Sequence, residues 1–223
     1  MPHPLLQPIK AFLFDFDGTL AELRIDFAAL RQKILLLAQK FGLVDPVLPN
    51  PAYLLELTAA LRDQLAARNS EKADHFFIRA MAAIDEKERE AAHPENLFPF
   101  TKRVLDFLIQ ADYRVAVLSR NSGSSVRRVF PDLDRYCHLF LPREAVTRPK
   151  PDPEHVRVAV QNLQVAYGQT VMVGDHILDI HCGRQLGLKT LGVLTGITKA
   201  EEMAAARADL VLPDVEALCG LLY

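Results

Sequence analysis

Two carboxylates, Asp15 and Asp17, close the apolar run Phe12-Leu13-Phe14-Asp15-Phe16-Asp17-Gly18-Thr19-Leu20. Along a strand alternate side chains share a face, so both are expected to point the same way, and Gly18 lets the backbone turn directly after them. Like charges held that close are costly unless a cation or a shared proton relieves them. A divalent cation would do so and would also prepare the site for an anion. For this short run alone, the plain alternative is a hydrated strand end with an Asp-Gly turn.

Three later segments carry groups of complementary chemistry. The apolar run Val115 to Leu118 ends at Ser119 and continues Arg120-Asn121-Ser122-Gly123. Lys150 lies within Arg148-Pro149-Lys150-Pro151-Asp152-Pro153, where each proline restricts the residue before it and suggests a stiff, extended path. Val171 to Val173 ends in Gly174-Asp175-His176-Ile177-Leu178-Asp179, with the two aspartates one helical turn apart. In this order, an aspartate pair, a hydroxyl, a lysine and a second aspartate pair, the chain resembles the haloacid dehalogenase superfamily, most of whose members are Mg²⁺-dependent phosphatases. The resemblance runs from about Ile9 to the C-terminus. It implies a helical cap inserted directly after the first motif, in the branch that includes phosphoglycolate phosphatase.

The expected chemistry is phosphate ester hydrolysis, which asks for charge neutralisation and in-line positioning. Asp15 is the expected nucleophile, forming an aspartyl-phosphate. Asp17 is the expected general acid and base. The resemblance adds that its backbone carbonyl ligates the metal, and that relatives acting on halides lack this second aspartate. Ser119 would donate to a phosphoryl oxygen, helped by free N–H groups where a helix opens near Ser122 to Ser124. Thr19 would add a contact or merely hold the turn. Arg120 and Asn121 would bind substrate, although Arg120 reads equally as a surface arginine. Lys150 would neutralise both Asp15 and the phosphoryl group. The expected metal set is Asp15, Asp17, Asp175 and Asp179. Hard oxygen donors suit Mg²⁺, and Asp179 either reaches the metal or orients Lys150. His176, His181 and Cys182 crowd the same loop but have no spacing that makes a tetrahedral zinc set.

The elements that must position these groups follow from pattern. Residues from about 21 to 98 read as helices only. Three apolar series fall at spacings of three and four: Phe27, Leu30, Ile34, Leu37 and Phe41; Leu54, Leu57, Leu61 and Leu65; and Ala73, Phe77, Ala80, Met81 and Ile84. Pro46, Pro49 and Pro51 break the stretch once, and Asp85 to Glu90 reads as a solvated helix end. From Thr101 onward strands alternate with helices. Among these, Pro153 to Leu163 is expected to be a helix with Asp152 as its N-cap. The expected fold is therefore α/β, a Rossmann-like parallel sheet with an inserted α-helical cap: core residues 1–20 and 99–223, cap residues 21–98. Reactive groups should lie at the carboxyl ends of the strands.

Composition narrows the classes further. The chain has 223 residues, half of them hydrophobic, and a formal net charge of −2, so nothing points to nucleic acid. Cys137, Cys182 and Cys219 are scattered, as reduced thiols of a cytoplasmic protein would be. Met1-Pro2-His3-Pro4 has no basic leader, and no apolar run approaches a membrane span. The expected partners are a small phosphorylated metabolite and, at most, a second copy in a homodimer. Two other readings stay open. One is a phosphoryl mutase of the same fold. The other is a binding protein that keeps the fold without turnover. A phosphonatase would need a Schiff-base lysine, for which Lys33, Lys40, Lys72 and Lys87 are the cap candidates.

Overall fold

A computed structural model describes residues 3–49 and 53–222; Met1, Pro2 and Pro51 of the readings above lie outside them. Short apolar runs rich in Val, Leu and Phe form six strands. These are β1 (Ala11–Asp15), β2 (Arg114–Leu118), β3 (Leu139–Leu141), β4 (Thr170–Gly174), β5 (Lys189–Val193) and β6 (Leu210–Leu212). They pair in parallel in the order β3-β2-β1-β4-β5-β6. The chain winds outward from β1 to β3, then crosses back to β4 and winds the other way. The reversal falls beside β1, where open α/β sheets form a crevice at the carboxyl ends of their strands. Every residue of β1 and of β4 is buried, as a strand covered on both faces requires.

Between β1 and β2 stand α1 (Phe27–Lys40), α2 (Leu54–Ala66) and α3 (Ser70–Ala91); α4 (Thr101–Gln110) precedes β2. Then come α5 (Gly123–Val129), α6 (Glu154–Leu163), α7 (Ile177–Gln185) and α8 (Ala200–Ala205). On one sheet face Ala11, Leu13, Ala116, Leu118 and Met172 form a core with Val156, Ala159, Val160 and Leu163 of α6. α6 starts at Glu154, one residue later than expected. Asp152 still serves its start, accepting the Glu154 N–H at 2.8 Å.

The chain divides into two compact units, Met1–Leu23 with Ala92–Tyr223, and Arg24–Ala91. The second is shorter at both ends than the expected 21–98. The reason is visible in the first unit, where the outgoing and returning chains pair: Ala21 bridges Leu97, and the Phe98 N–H donates to the Leu20 carbonyl at 3.0 Å. The helical unit has its own core, including Leu30, Ile34, Leu57, Leu61, Ala73 and Phe76. Two expectations fail in α3. Phe76 is buried where Phe77 was expected, because the stripe Ala73, Phe76, Ala80, Ala83 follows the helical period; Phe77 is half-buried under the Arg62 guanidinium, 5.3 Å from its ring centroid. Within the charged run Asp85 to Glu90, Glu88 extends that stripe and is buried. No helix among the described residues is long and apolar enough to cross a membrane.

Candidate active site

β1 ends at Asp15, not beyond it, so Asp17 lies past the strand in a tight turn. The alternation argument for a shared face therefore does not apply. The turn is built by the Phe16 carbonyl, which accepts the N–H groups of Leu20 and Ala21 at 2.9 and 3.1 Å, and by the Gly18 N–H donating to the Ala21 carbonyl at 2.7 Å. Gly18 has φ +87°, a conformation that side chains other than glycine's adopt at a cost. Asp17 Oδ1 accepts the Leu23 N–H at 2.7 Å.

Parallel register sets Asp15 beside Leu118, so Ser119 follows at the tip of β2; on the other side Phe14 pairs with Val173, so Asp175 follows at the tip of β4. Ser119 is buried, and its Oγ accepts the Asn121 N–H at 3.0 Å. Asn121 Nδ2 is buried with no hydrogen-bond partner, a condition native structures rarely leave without a purpose. Arg120 is tied to the loop that carries Lys150. Its guanidinium donates to the Lys150 carbonyl, and its own carbonyl accepts from the Arg143 guanidinium at 2.9 Å. Two N–H groups at the start of α5 already have partners: the Gly123 N–H donates to Glu144 Oε1 at 2.7 Å, and the Ser125 N–H donates to Ser122 Oγ.

Lys150 lies in a turn, not on an extended path; the turn is closed by the Asp152 N–H donating to the Pro149 carbonyl at 3.1 Å. Its ammonium is fully buried and donates to Asp15 Oδ1 at 2.7 Å and Asp179 Oδ1 at 2.6 Å. Asp15, Asp175 and Asp179 each place a carboxylate oxygen within 4.8 Å of the others; Asp17 is not part of this cluster. Close approach around the acids depends on glycine. A Cβ on Gly174 would fall 2.2 Å from Asp179 Oδ2, and one on Gly196 would fall 1.8 Å from Asp175 Oδ2. Thr19 Oγ1 donates to Asp175 Oδ1 at 3.3 Å.

The electrostatics follow from crowding. Burial pushes the Asp175 carboxyl up to about 9, reinforced by Asp15, Asp179 and Asp17. Burial also raises Asp15, with Lys150 opposing and Asp179 adding. Burial works against the Lys150 ammonium, but the charges of Asp15 and Asp179 outweigh it and hold the group above the ordinary lysine value. Three carboxylates thus face one ammonium. A bound divalent cation would balance the remaining charge, and an all-oxygen donor set fits Mg²⁺. The zinc candidates scatter. His176 Nδ1 caps α7 by accepting the Leu178 N–H, His181 is exposed, and the Cys182 thiol donates to the Pro151 carbonyl at 3.0 Å. Burial pushes that thiol up to about 12, far from a metal-binding thiolate.

A family model described as haloacid dehalogenase-like hydrolase matches residues 12–193, from the strand that carries Asp15 to the end of β5. The chain belongs to the haloacid dehalogenase-like hydrolases. This hydrolase is 26% identical to the pyrophosphatase PpaX of Bacillus velezensis, over 96% of this chain and 95% of that one. It is 28% identical to a plasmid phosphoglycolate phosphatase of Cupriavidus necator, over 96% and 94%. Among solved structures, β-phosphoglucomutase from Clostridium difficile superposes with a TM-score of 0.66 at 16% identity, covering 94% of this chain and 93% of that one. At that identity the likeness is one of fold.

Sequence reading passed over three residues of the hydrolase. Thr195 Oγ1 donates to the Gly18 carbonyl at 2.5 Å, and Gly196 lies against Asp175. Both follow β5, so the rule that placed Ser119 and Asp175 at strand tips also reaches them. His155, five residues after Lys150, is buried in α6 with both ring nitrogens engaged.

Proposed function

We propose that this hydrolase is a Mg²⁺-dependent phosphatase that cleaves a small phosphorylated metabolite through an aspartyl-phosphate on Asp15. The observation that carries the reading is the buried Lys150 ammonium bonded to both Asp15 and Asp179, with Asp175 within 4.8 Å of both acids. So many buried acids around one cation are costly as a packing device, and the arrangement presents Asp15 at a strand tip beside donors for an anion. Asp15 and Asp175 would hold the ion, with Asp179 completing the cluster and orienting Lys150. When bound, Mg²⁺ supplies charge neutralisation at the phosphoryl oxygens.

An Asp15 oxygen attacks phosphorus as the bond to the leaving oxygen breaks, and Asp17 gives that oxygen its proton. Asp17 then takes a proton from water as the water oxygen attacks phosphorus, and the bond to Asp15 breaks to release inorganic phosphate. Ser119 Oγ and the unpartnered Asn121 Nδ2 donate to phosphoryl oxygens. Lys150 offsets the charge of Asp15 and of the transferred group. The relatives' names support the substrate class, a small phosphorylated compound. Reduced thiols and the lack of a spanning helix among the described residues support a cytoplasmic setting.

The fold likeness to a β-phosphoglucomutase keeps the mutase as the second reading. A phosphonatase built on Lys87 is disfavoured: the Glu90 carboxylate beside it raises that ammonium, whereas a Schiff-base lysine needs a lowered value. The test is phosphate release from a panel including pyrophosphate, phosphoglycolate and hexose phosphates, with Mg²⁺ and with chelator. Stoichiometric phosphate released only with Mg²⁺ is expected. Full activity in chelator would overturn the metal assignment. Isomerised product without phosphate release would favour the mutase.

A further inference from the structure

We propose that His155 is a positioning residue: it ties the Lys150 main chain to the end of β3 and so fixes where the lysine ammonium stands. The inference rests on the reading of Lys150 given above. His155 is the second residue of α6 and is fully buried. Its Nδ1 accepts the Lys150 N–H at 3.3 Å, and its Nε2 lies 3.0 Å from the Leu141 carbonyl. A carbonyl only accepts, so the ring proton sits on Nε2 and the imidazole is neutral, with one nitrogen donating and the other accepting. Burial first, and then the Lys150 charge, keep it in that form.

The same Leu141 carbonyl accepts the Ser119 N–H at 3.0 Å. One ring thus joins the residue bearing the lysine to the carbonyl that anchors the residue bearing the hydroxyl. On the other side of Lys150 its carbonyl accepts from the Arg120 guanidinium. Both polar groups of the Lys150 main chain are therefore held by side chains. A lysine side chain has four rotatable bonds, so its ammonium is placed only as well as its backbone is. A misplacement of about 1 Å in a reacting constellation costs roughly 100-fold in rate.

The test compares His155→Leu, which fills the space without polar atoms, with His155→Gln, whose amide keeps one donor and one acceptor. The rate is read at a temperature well below each variant's melting point, with p-nitrophenyl phosphate and Mg²⁺. His155→Leu should lose about 10- to 100-fold in kcat while KM changes about three-fold or less, and His155→Gln should recover most of the loss. Hydrogen exchange at the Lys150 amide should speed up in the leucine variant and stay slow in the glutamine one. If His155→Leu does not fold, His155→Met, which adapts to irregular space, takes its place with the same expected loss. A folded apolar variant with wild-type kcat overturns the inference and leaves the phosphatase reading standing, as would equal losses in the apolar and glutamine variants. No phosphate release from the wild type with any substrate would instead remove the reading on which the inference rests.

Discussion

At the scale of single residues, the two motif aspartates differ by where the strand stops. Asp15 is its last residue and shares Lys150 with Asp179; Asp17 stands in the turn and accepts a backbone N–H. Asp15→Asn removes the proposed nucleophile while keeping its shape, and turnover should fall by about 10⁴-fold or more. Acid-quenched mixtures should carry phosphate on the Asp15 peptide in the wild type and none in the variant; label on Ser119 or a histidine would sink the assignment. Asp17→Asn keeps an oxygen for the Leu23 N–H, so the turn should persist. Its rate should drop about 10²- to 10⁴-fold, the usual worth of a positioned proton donor, and any phosphoenzyme formed should persist longer. Normal decay of that intermediate would remove Asp17 from the second step.

At the scale of elements, the loop after β5 wraps the acid that β4 presents. Gly196 touches Asp175 so closely that a single methyl has no room: its carbon would sit 1.8 Å from Oδ2. Gly196→Ala must therefore displace either the loop or the carboxylate, at about 1–3 kcal/mol for overpacking. The Mg²⁺ needed for half-maximal activity should rise about 10-fold or more. A Mg²⁺ titration alongside a thermal melt checks both, and an unchanged metal requirement would mean that Asp175 tolerates the shift. By contrast, the Gly123 N–H at the start of α5 already donates to Glu144, so that group should contribute little to anion binding.

At the scale of the whole molecule, the acid cluster links metal, pH and stability. Asp175 is pushed up to about 9 from an ordinary value of 3.8, so between these limits the folded protein without metal holds a proton that the unfolded chain has released. The stability conferred by that raised value is fully present below about pH 3.8 and is lost as pH rises through about 9. In chelator the loss is up to about 1.4 kcal/mol per pH unit for one proton. The melting temperature in EDTA should therefore fall from pH 6 to pH 8.5. Added Mg²⁺ should raise it more at the higher pH, because binding must expel that proton. A melting temperature in EDTA that rises over this window would contradict the picture. The groups proposed for bond breaking all belong to the unit Met1–Leu23 with Ala92–Tyr223. Substitutions at exposed polar residues of Arg24–Ala91 should accordingly leave p-nitrophenyl phosphate hydrolysis within about two-fold, since surface changes seldom exceed about 0.5 kcal/mol. Parallel losses at several such positions would place chemistry in the helical unit.

Patterns local in the chain were readable from it. Apolar runs stopped by Asp15, Ser119 and Gly174 mark strand tips, because a buried parallel strand is a short hydrophobic run and its carboxyl end is where polar groups resume. Helical spacing likewise announced α1, α2 and α3, whose stripes bury Leu30, Leu57 and Ala73. What tertiary structure decided was which polar group meets which. Lys150 finds Asp15 across 135 positions, and Thr195 finds the Gly18 carbonyl across 177. Glu144 takes the Gly123 N–H at a helix start that local pattern left open, Arg120 turns to the Lys150 carbonyl, and His155 satisfies two main chains at once. Periodicity records only which side of an element is apolar. The partner of a buried donor or acceptor is set by the fold that brings distant segments together, and so by the cost of leaving that group unpaired.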